Sequence, residues 1–137
     1  MPDCLFCRIV NKEIPADFVY EDDTCVVFAD IAPVSLGHLL VVPRAHHENL
    51  LDTPDETLAH LAVVVKKVAA AAVEATGADG FNLGANTGAA AGQIVMHTHL
   101  HVMPRHAGDG LVHWPKRDVT MEQVKETAAA IRERLAS

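Results

Sequence analysis

The run Val95-Met96-His97-Thr98-His99-Leu100-His101-Val102-Met103 sets three histidines two residues apart within apolar sequence. A β-strand turns alternate side chains to opposite faces. Read as a strand, the run puts His97, His99 and His101 on one face and Thr98, Leu100 and Val102 on the other. Imidazole costs free energy to bury unless it is hydrogen-bonded. Such a row on a half-buried strand therefore points to chemistry rather than packing. Same-face neighbours sit roughly 7 Å apart at Cα, so two rings can converge on one metal ion or one phosphate. Two readings stay open here. A pair such as His97 and His99 forms part of a zinc site, or one ring is a nucleophile whose neighbours bind phosphate oxygens.

Upstream, Asn86-Thr87-Gly88-Ala89-Ala90-Ala91-Gly92-Gln93 carries almost no bulky side chains. Small residues let backbone N–H groups approach an anion, and Asn86 and Gln93 add amide donors. Further upstream, Cys4-Leu5-Phe6-Cys7 has the spacing of half a zinc knuckle. His46 and His47 follow an apolar run, and Cys4, Cys7, His46 and His97 would complete a Cys2His2 zinc site. Cys25 alternates with Val27 and Ala29 and reads as a buried strand residue.

The remaining elements follow from pattern. Leu5 to Val10 reads as a short helical turn, stopped by Pro15. Phe18–Tyr20 and Cys25–Phe28 read as strands around the turn Glu21-Asp22-Asp23, and Leu39–Val42 as a third strand ended by Pro43. Thr53-Pro54-Asp55-Glu56 has the form of a capping box with proline at N1. Leu58, Leu61, Ala62, Val65 and Ala69 then recur at helical spacing up to the stop signal Gly77. Phe81–Asn86 is a fourth strand and the histidine run a fifth. Thr120 and Gln123 repeat the capping-box pattern before Val124, Ala128, Ile131 and Leu135. Strands, helix, strands, helix favours an α+β fold with an antiparallel sheet.

The chain has 137 residues, half of them hydrophobic, which suits a single domain with one core. A formal charge of −7 disfavours a nucleic-acid partner. No apolar run reaches the roughly 20 residues of a membrane span, and the N-terminus lacks the pattern of a signal peptide, so a cytoplasmic location is expected. Three cysteines argue against a disulfide framework.

The motif Gly92-Gln93-Ile94-Val95-Met96-His97-Thr98-His99-Leu100-His101-Val102 resembles that of the histidine triad superfamily of nucleotide-binding proteins. So do Cys4–Pro15, Tyr20–Asp23, Phe28–Pro33 and Gly37–Pro43, in order. Coverage runs from about Asp3 to Arg105, leaving residues 106–137 as a tail and helix. The Cys-x-x-Cys start and the Met103-Pro104-Arg105 exit look most like the bacterial, zinc-binding members.

The resemblance implies the HIT-like fold in one domain, a five-stranded antiparallel sheet with a long helix and a C-terminal helix. It also implies a homodimer with the long helix and central sheet at its interface. His99 would be the nucleophile that forms a covalent nucleotidyl-histidine, with His97 and His101 at the phosphate. His38 would lie near the phosphate, and Asn86, Gln93 and the backbone N–H of Ile94 would donate to it. Asp30 would accept from the ribose hydroxyls. Phe6, Ile9, Phe28, Ile31 and Leu40 would wall the pocket of a purine base, the ligand being an AMP or GMP derivative. Cys4, Cys7, His46 and His97 match the family's zinc ligands, which makes Zn2+ structural and draws His97 away from acid chemistry. Many members carry Ser or Thr where this chain has Ile94, which offers no hydroxyl.

The expected reaction is cleavage at the α-phosphate of a phosphoramidate or acyl-adenylate. The alternatives are a dinucleoside polyphosphate hydrolase, a non-catalytic nucleotide sensor or scaffold, and a metal hydrolase using zinc at the histidine row. Gly108-Asp109-Gly110 and His113-Trp114-Pro115 read as a substrate-side tail or a plain surface loop.

Overall fold

The computed structural model describes residues 3–112 and 114–137. His113 of the tail motif therefore lies outside the described residues. The chain forms α1 (Leu5–Val10), β1 (Phe18–Glu21), β2 (Cys25–Ala29), β3 (Leu39–Pro43), α2 (Asp55–Thr76), β4 (Gly80–Gly84), β5 (Leu100–Arg105) and α3 (Met121–Ala136). The five strands make one antiparallel sheet in the order β1-β2-β3-β5-β4. The α+β class and the antiparallel sheet are as expected.

Alternation divides the core. Cys25 and Val27 of β2, Leu39 and Val41 of β3, and Val102 of β5 face α2, which returns Leu61, Val64, Val65, Val68, Ala69 and Ala72. The intervening Val26, Phe28, Leu40 and Val42 face the other way and pack on Phe6, Cys7, Ile9 and Val10. β2 and β3 are thus covered on both sides, which is why they read as continuous apolar runs.

Beyond one-residue shifts at strand ends, three features differ from the sequence reading. The histidine run is not one strand, because β5 begins only at Leu100. Register pairs Leu40 with His101 and Val41 with Leu100, so the next steps would bring the run to Pro43, which has no N–H to donate. The ladder ends there, and the Thr98 N–H goes to the His47 carbonyl at 2.8 Å. β4 closes at Gly84 rather than Asn86. Thr53 does not cap α2. Its hydroxyl donates to the Asn49 carbonyl at 2.8 Å and lies 2.7 Å from the Thr98 hydroxyl, and Pro54 occupies the N-cap without a side-chain bond. The helix N-terminus keeps the favourable charge of Asp55 and Glu56 in its first turn.

Two glycines have positions that require them. Gly77 ends α2 in the left-handed conformation, with its N–H on Glu74 and that of Ala78 on Val73. Gly37 has φ +88°, and a Cβ there would stand 2.9 Å from Thr76 Cγ2 and 3.0 Å from Pro104 Cγ. At the other end, α3 carries the expected capping box of Thr120 and Gln123 but has no buried residue.

Asp22 joins the hairpin to the rest of the fold. Its carboxylate accepts from the Thr24 and Cys25 N–H groups, from Tyr20 Oη and from His60 of α2, while Arg44 donates to its carbonyl. Burial works against the charge, yet bonds from Cys25, His60, Thr24 and Tyr20 outweigh it and hold the carboxyl well below the usual range. Such a group stabilises the fold fully above its unfolded pKa of about 4, and that contribution is lost as pH falls below it. Asp22→Ala should cost about 2 kcal/mol at pH 7, read by urea unfolding. The gap between variant and wild type should stay level from pH 7 to about pH 5 and narrow progressively below about pH 4.

Candidate functional site

The three histidines share a side of the chain although only His101 lies in β5. Their differences come from what each ring nitrogen meets. His97 is fully buried. Its Nε2 lies 2.8 Å from the Pro43 carbonyl. A carbonyl only accepts, so Nε2 carries the proton and Nδ1 presents a lone pair. That lone pair faces Cys4 Sγ at 3.3 Å, Cys7 Sγ at 3.5 Å and His46 Nδ1 at 3.2 Å. Burial, then the neighbouring His46, His99 and His47, push the His97 pKa down to about 4 despite the Pro43 bond.

Cys4, Cys7, His46 and His97 therefore converge as the sequence suggested, with one donor atom from each within 4.8 Å of the others. Two sulfurs and two imidazole nitrogens at such separations suit a tetrahedral, borderline-soft cation such as zinc. Burial and Cys4 raise the Cys7 pKa, so capture of a metal must expel a proton. The Cys4 side chain also caps α1 by accepting from the Cys7 N–H. Helix and cluster are thus built from the same residues.

His99 is oriented by its neighbour's backbone. Its Nδ1 lies 2.7 Å from the His97 carbonyl, so Nδ1 donates and Nε2 keeps its lone pair. Burial lowers its pKa, only partly offset by that bond and by Asp30, and the ring stays neutral. Phe6 packs edge-on against His99, with ring centroids 4.9 Å apart.

His101 belongs to a third arrangement. The Val34 N–H donates to His38 Nδ1 at 3.1 Å. His38 therefore holds its proton on Nε2, which donates to His101 Nδ1 at 2.9 Å. His101 in turn keeps its proton on Nε2. Burial, then His99 and His38, push its pKa down to about 4. Asp30 stands 3.5 Å from His38 Nε2, and its other oxygen is held by the Ala32 N–H.

The other expected site residues divide. Phe6, Ile9, Phe28 and Leu40 lie together as a buried floor beneath the histidines. Ile31 is 95% exposed. Asn86 is half-buried in its loop and weakly tied to the Gly92 carbonyl. Gln93 is buried, and its amide is already engaged. It accepts from the Gly88 N–H and donates to the Glu48 and Val95 carbonyls. Its contribution is to clamp the small-residue loop, not to offer a free donor. Ile94 stands 89% exposed.

Beside His101 and His38 lies a cleft of about 470 Å3, lined by Asn82, Asn86, Met103 and Arg105 and by Leu111, Val112 and Trp114 of the tail. Sequence reading missed Met103 and Arg105 here. Period two could have found them, because they follow His101 on the same face of β5. Arg105 is not free, since Asp109 pairs with it at 2.8 Å.

Together the fold and these rings define a small α+β protein organised around three histidines at the entry of its strand β5. The chain belongs to the HIT domain family, whose model matches residues 11–108. It is 42% identical over 123 residues to an adenylylsulfatase of Arabidopsis thaliana, an alignment covering 90% of this chain and 61% of that protein's length. A crystal structure of a Streptococcus mutans protein superposes with a TM-score of 0.91 at 37% identity, covering 98% of this chain and 87% of that one. A zinc-bound histidine triad family protein from Mycobacterium smegmatis matches at 42% identity and TM-score 0.78, covering 99% of both chains.

The tautomers can be observed directly. Long-range 15N–1H spectra at pH 7 should show His99 protonated at Nδ1, and His38 and His101 at Nε2. His101 should stay neutral until the pH falls below 5. An Nε2-protonated His99 would contradict the assignment.

Proposed function

We propose that this chain hydrolyses or transfers nucleotides at the α-phosphate of a purine nucleotide, through a covalent nucleotidyl-histidine on His99. The observation that carries this reading is the free Nε2 lone pair of His99, held by the His97 carbonyl next to the Nε2–H of His101. The lone pair attacks phosphorus in line, and the bond to the leaving group breaks with its electron pair. The attacking ring becomes an imidazolium. Its Nδ1–H remains on the His97 carbonyl, which stabilises the new charge. The His101 N–H donates to a phosphoryl oxygen. Water then attacks from the side opposite His99 and gives its proton to solvent, and the P–N bond breaks with its electron pair returning to Nε2, releasing the nucleoside monophosphate and a neutral His99.

The likeness to an adenylylsulfatase supports chemistry at an adenylyl phosphorus. Phosphoramidates and acyl-adenylates fit the same two displacements. Ile94 supplies no hydroxyl, which favours leaving groups that need little help from a donor. His99→Ala should lower turnover at least a thousandfold while nucleoside monophosphate binding changes by less than about threefold. Wild-type protein quenched during turnover should gain one nucleotidyl mass on His99. Unchanged turnover in the variant would overturn the nucleophile assignment, whereas a wild type with neither turnover nor adduct would instead support a nucleotide sensor.

In this reading Cys4, Cys7, His46 and His97 hold a structural Zn2+, consistent with the zinc-bound relative. The bound ion supplies a crosslink between α1, the segment after β3 and the histidine run. No step at phosphorus uses it. Purified protein should contain about one zinc per chain by elemental analysis, and Cys4→Ser should contain none. Chelation should lower the melting temperature first, with activity lost only as unfolding follows. Instant loss of activity in a still-folded protein would point to zinc at the reaction centre.

Among the described residues no helix is long and apolar enough to cross a membrane. A cytoplasmic homodimer completes the proposal, with α2 and the edge strand β4 at its interface. Val63, Phe81 and Leu83 are exposed there.

A further inference from the structure

α3 runs for 16 residues and buries none of them. Yet its sequence is not that of a solvated helix. Met121, Val124, Ala128, Ile131 and Leu135 recur at spacings of three and four, which aligns them in one narrow seam. Val124, Ile131, Met121 and Leu135 are all exposed. A helix of this length is marginal in water without a surface to pack on.

The charges beside the seam narrow the choice of surface. Lys125 and Arg132 flank it on one side, and Arg134 with Thr127 on the other. Glu122, Glu126 and Glu133 lie away from it. Two α3 helices facing each other would therefore bring basic flanks together, which disfavours a symmetric helix pair. An apolar surface edged with acids would suit it instead. The three acids and three bases of α3 balance, so the rest of the chain carries the whole net charge of −7.

Such a surface exists at the opposite end of the histidine run. A groove of about 570 Å3 is lined by Leu5, Ile94, Val95 and Met96, with Asp3 and Glu48 among its walls beside Cys4 and His46 of the metal-ready cluster. Leu5, Ile94 and Met96 are exposed. The chain leading to α3 is pinned far from it. Arg105 is paired with Asp109, His106 lies 3.2 Å from the Thr76 carbonyl, and the Ala107 N–H donates to Asp79. These bonds fix residues 105–109 beside the C-terminal end of α2, whereas the groove precedes the start of β5.

We infer that α3 docks through this seam into the Leu5–Ile94–Met96 groove of a second copy of this chain. The basic flanks then face Asp3 and Glu48 of that copy. This inference stands whether or not His99 is a nucleophile, and it adds an arm to a dimer rather than requiring one particular core interface.

The test uses the full-length protein with a photo-crosslinking amino acid at position 124, made in 14N and 15N forms and mixed before irradiation. The expected products join α3 to the segments around Leu5 or Met96 as mixed-isotope pairs. Amides of α3 should also exchange with deuterium at least tenfold more slowly at high protein concentration than at high dilution. Lys125→Glu with Arg132→Glu, which leaves the apolar seam intact, should remove that protection, as should Met96→Lys. Circular dichroism and zinc content check that each variant is folded. Same-isotope pairs alone would mean that the helix folds back on its own chain and would overturn the inference. So would crosslinks to another face of the second copy, α3 exchange independent of concentration, or protection unchanged in both variants.

Discussion

His97 is the residue on which the site's geometry turns, and it acts through three separate atoms. Its Nε2–H is held by the Pro43 carbonyl, its Nδ1 faces the two cysteines and His46, and its own carbonyl holds His99. A displacement of this backbone would disturb the metal-ready cluster and the orientation of His99 together. The Pro43 acceptor lies at the last position of β3. The end of the β3 ladder therefore fixes which nitrogen of His97 is left for a metal.

The segment before β5 is held by side chains instead of a ladder. Thr98 reaches Thr53 and the His47 carbonyl, and Gln93 spans Gly88, Glu48 and Val95. These bonds tie the histidine run to the entry of α2 and to the loop that carries His46 and His47. The small residues at 88–92 are then shaped from outside. Gly88 and Gly92 take positive φ, and a Cβ on Gly92 would meet the Asn86 side chain at 3.3 Å.

Much of this was legible in the sequence, for physical reasons that differ by residue. The two-sided burial of β2 and β3 is written in their uninterrupted apolar runs. The convergence of Cys4, Cys7, His46 and His97 follows from ligand chemistry and spacing, which few other arrangements satisfy. The reading of Thr53 as a cap failed because a nearby carbonyl and Thr98 compete for its hydroxyl, and that competition is tertiary. Gln93 looked like a free donor because its shortest bond goes to the Glu48 carbonyl, 45 residues away, and the turn that brings Gly88 and Val95 onto its amide has no sequence signature. The order of events at His101 was also hidden, since Val34 and His38 set its tautomer from a different strand connection.

Both orienting acceptors in the site, the carbonyls of Pro43 and His97, are main-chain atoms. No codon specifies them, and no side-chain replacement at either position deletes them. Drift can therefore erode an imidazole but not the group that aims it. A lineage that lost a histidine here would still inherit the cradle for it, and one reversion would restore a correctly pointed ring.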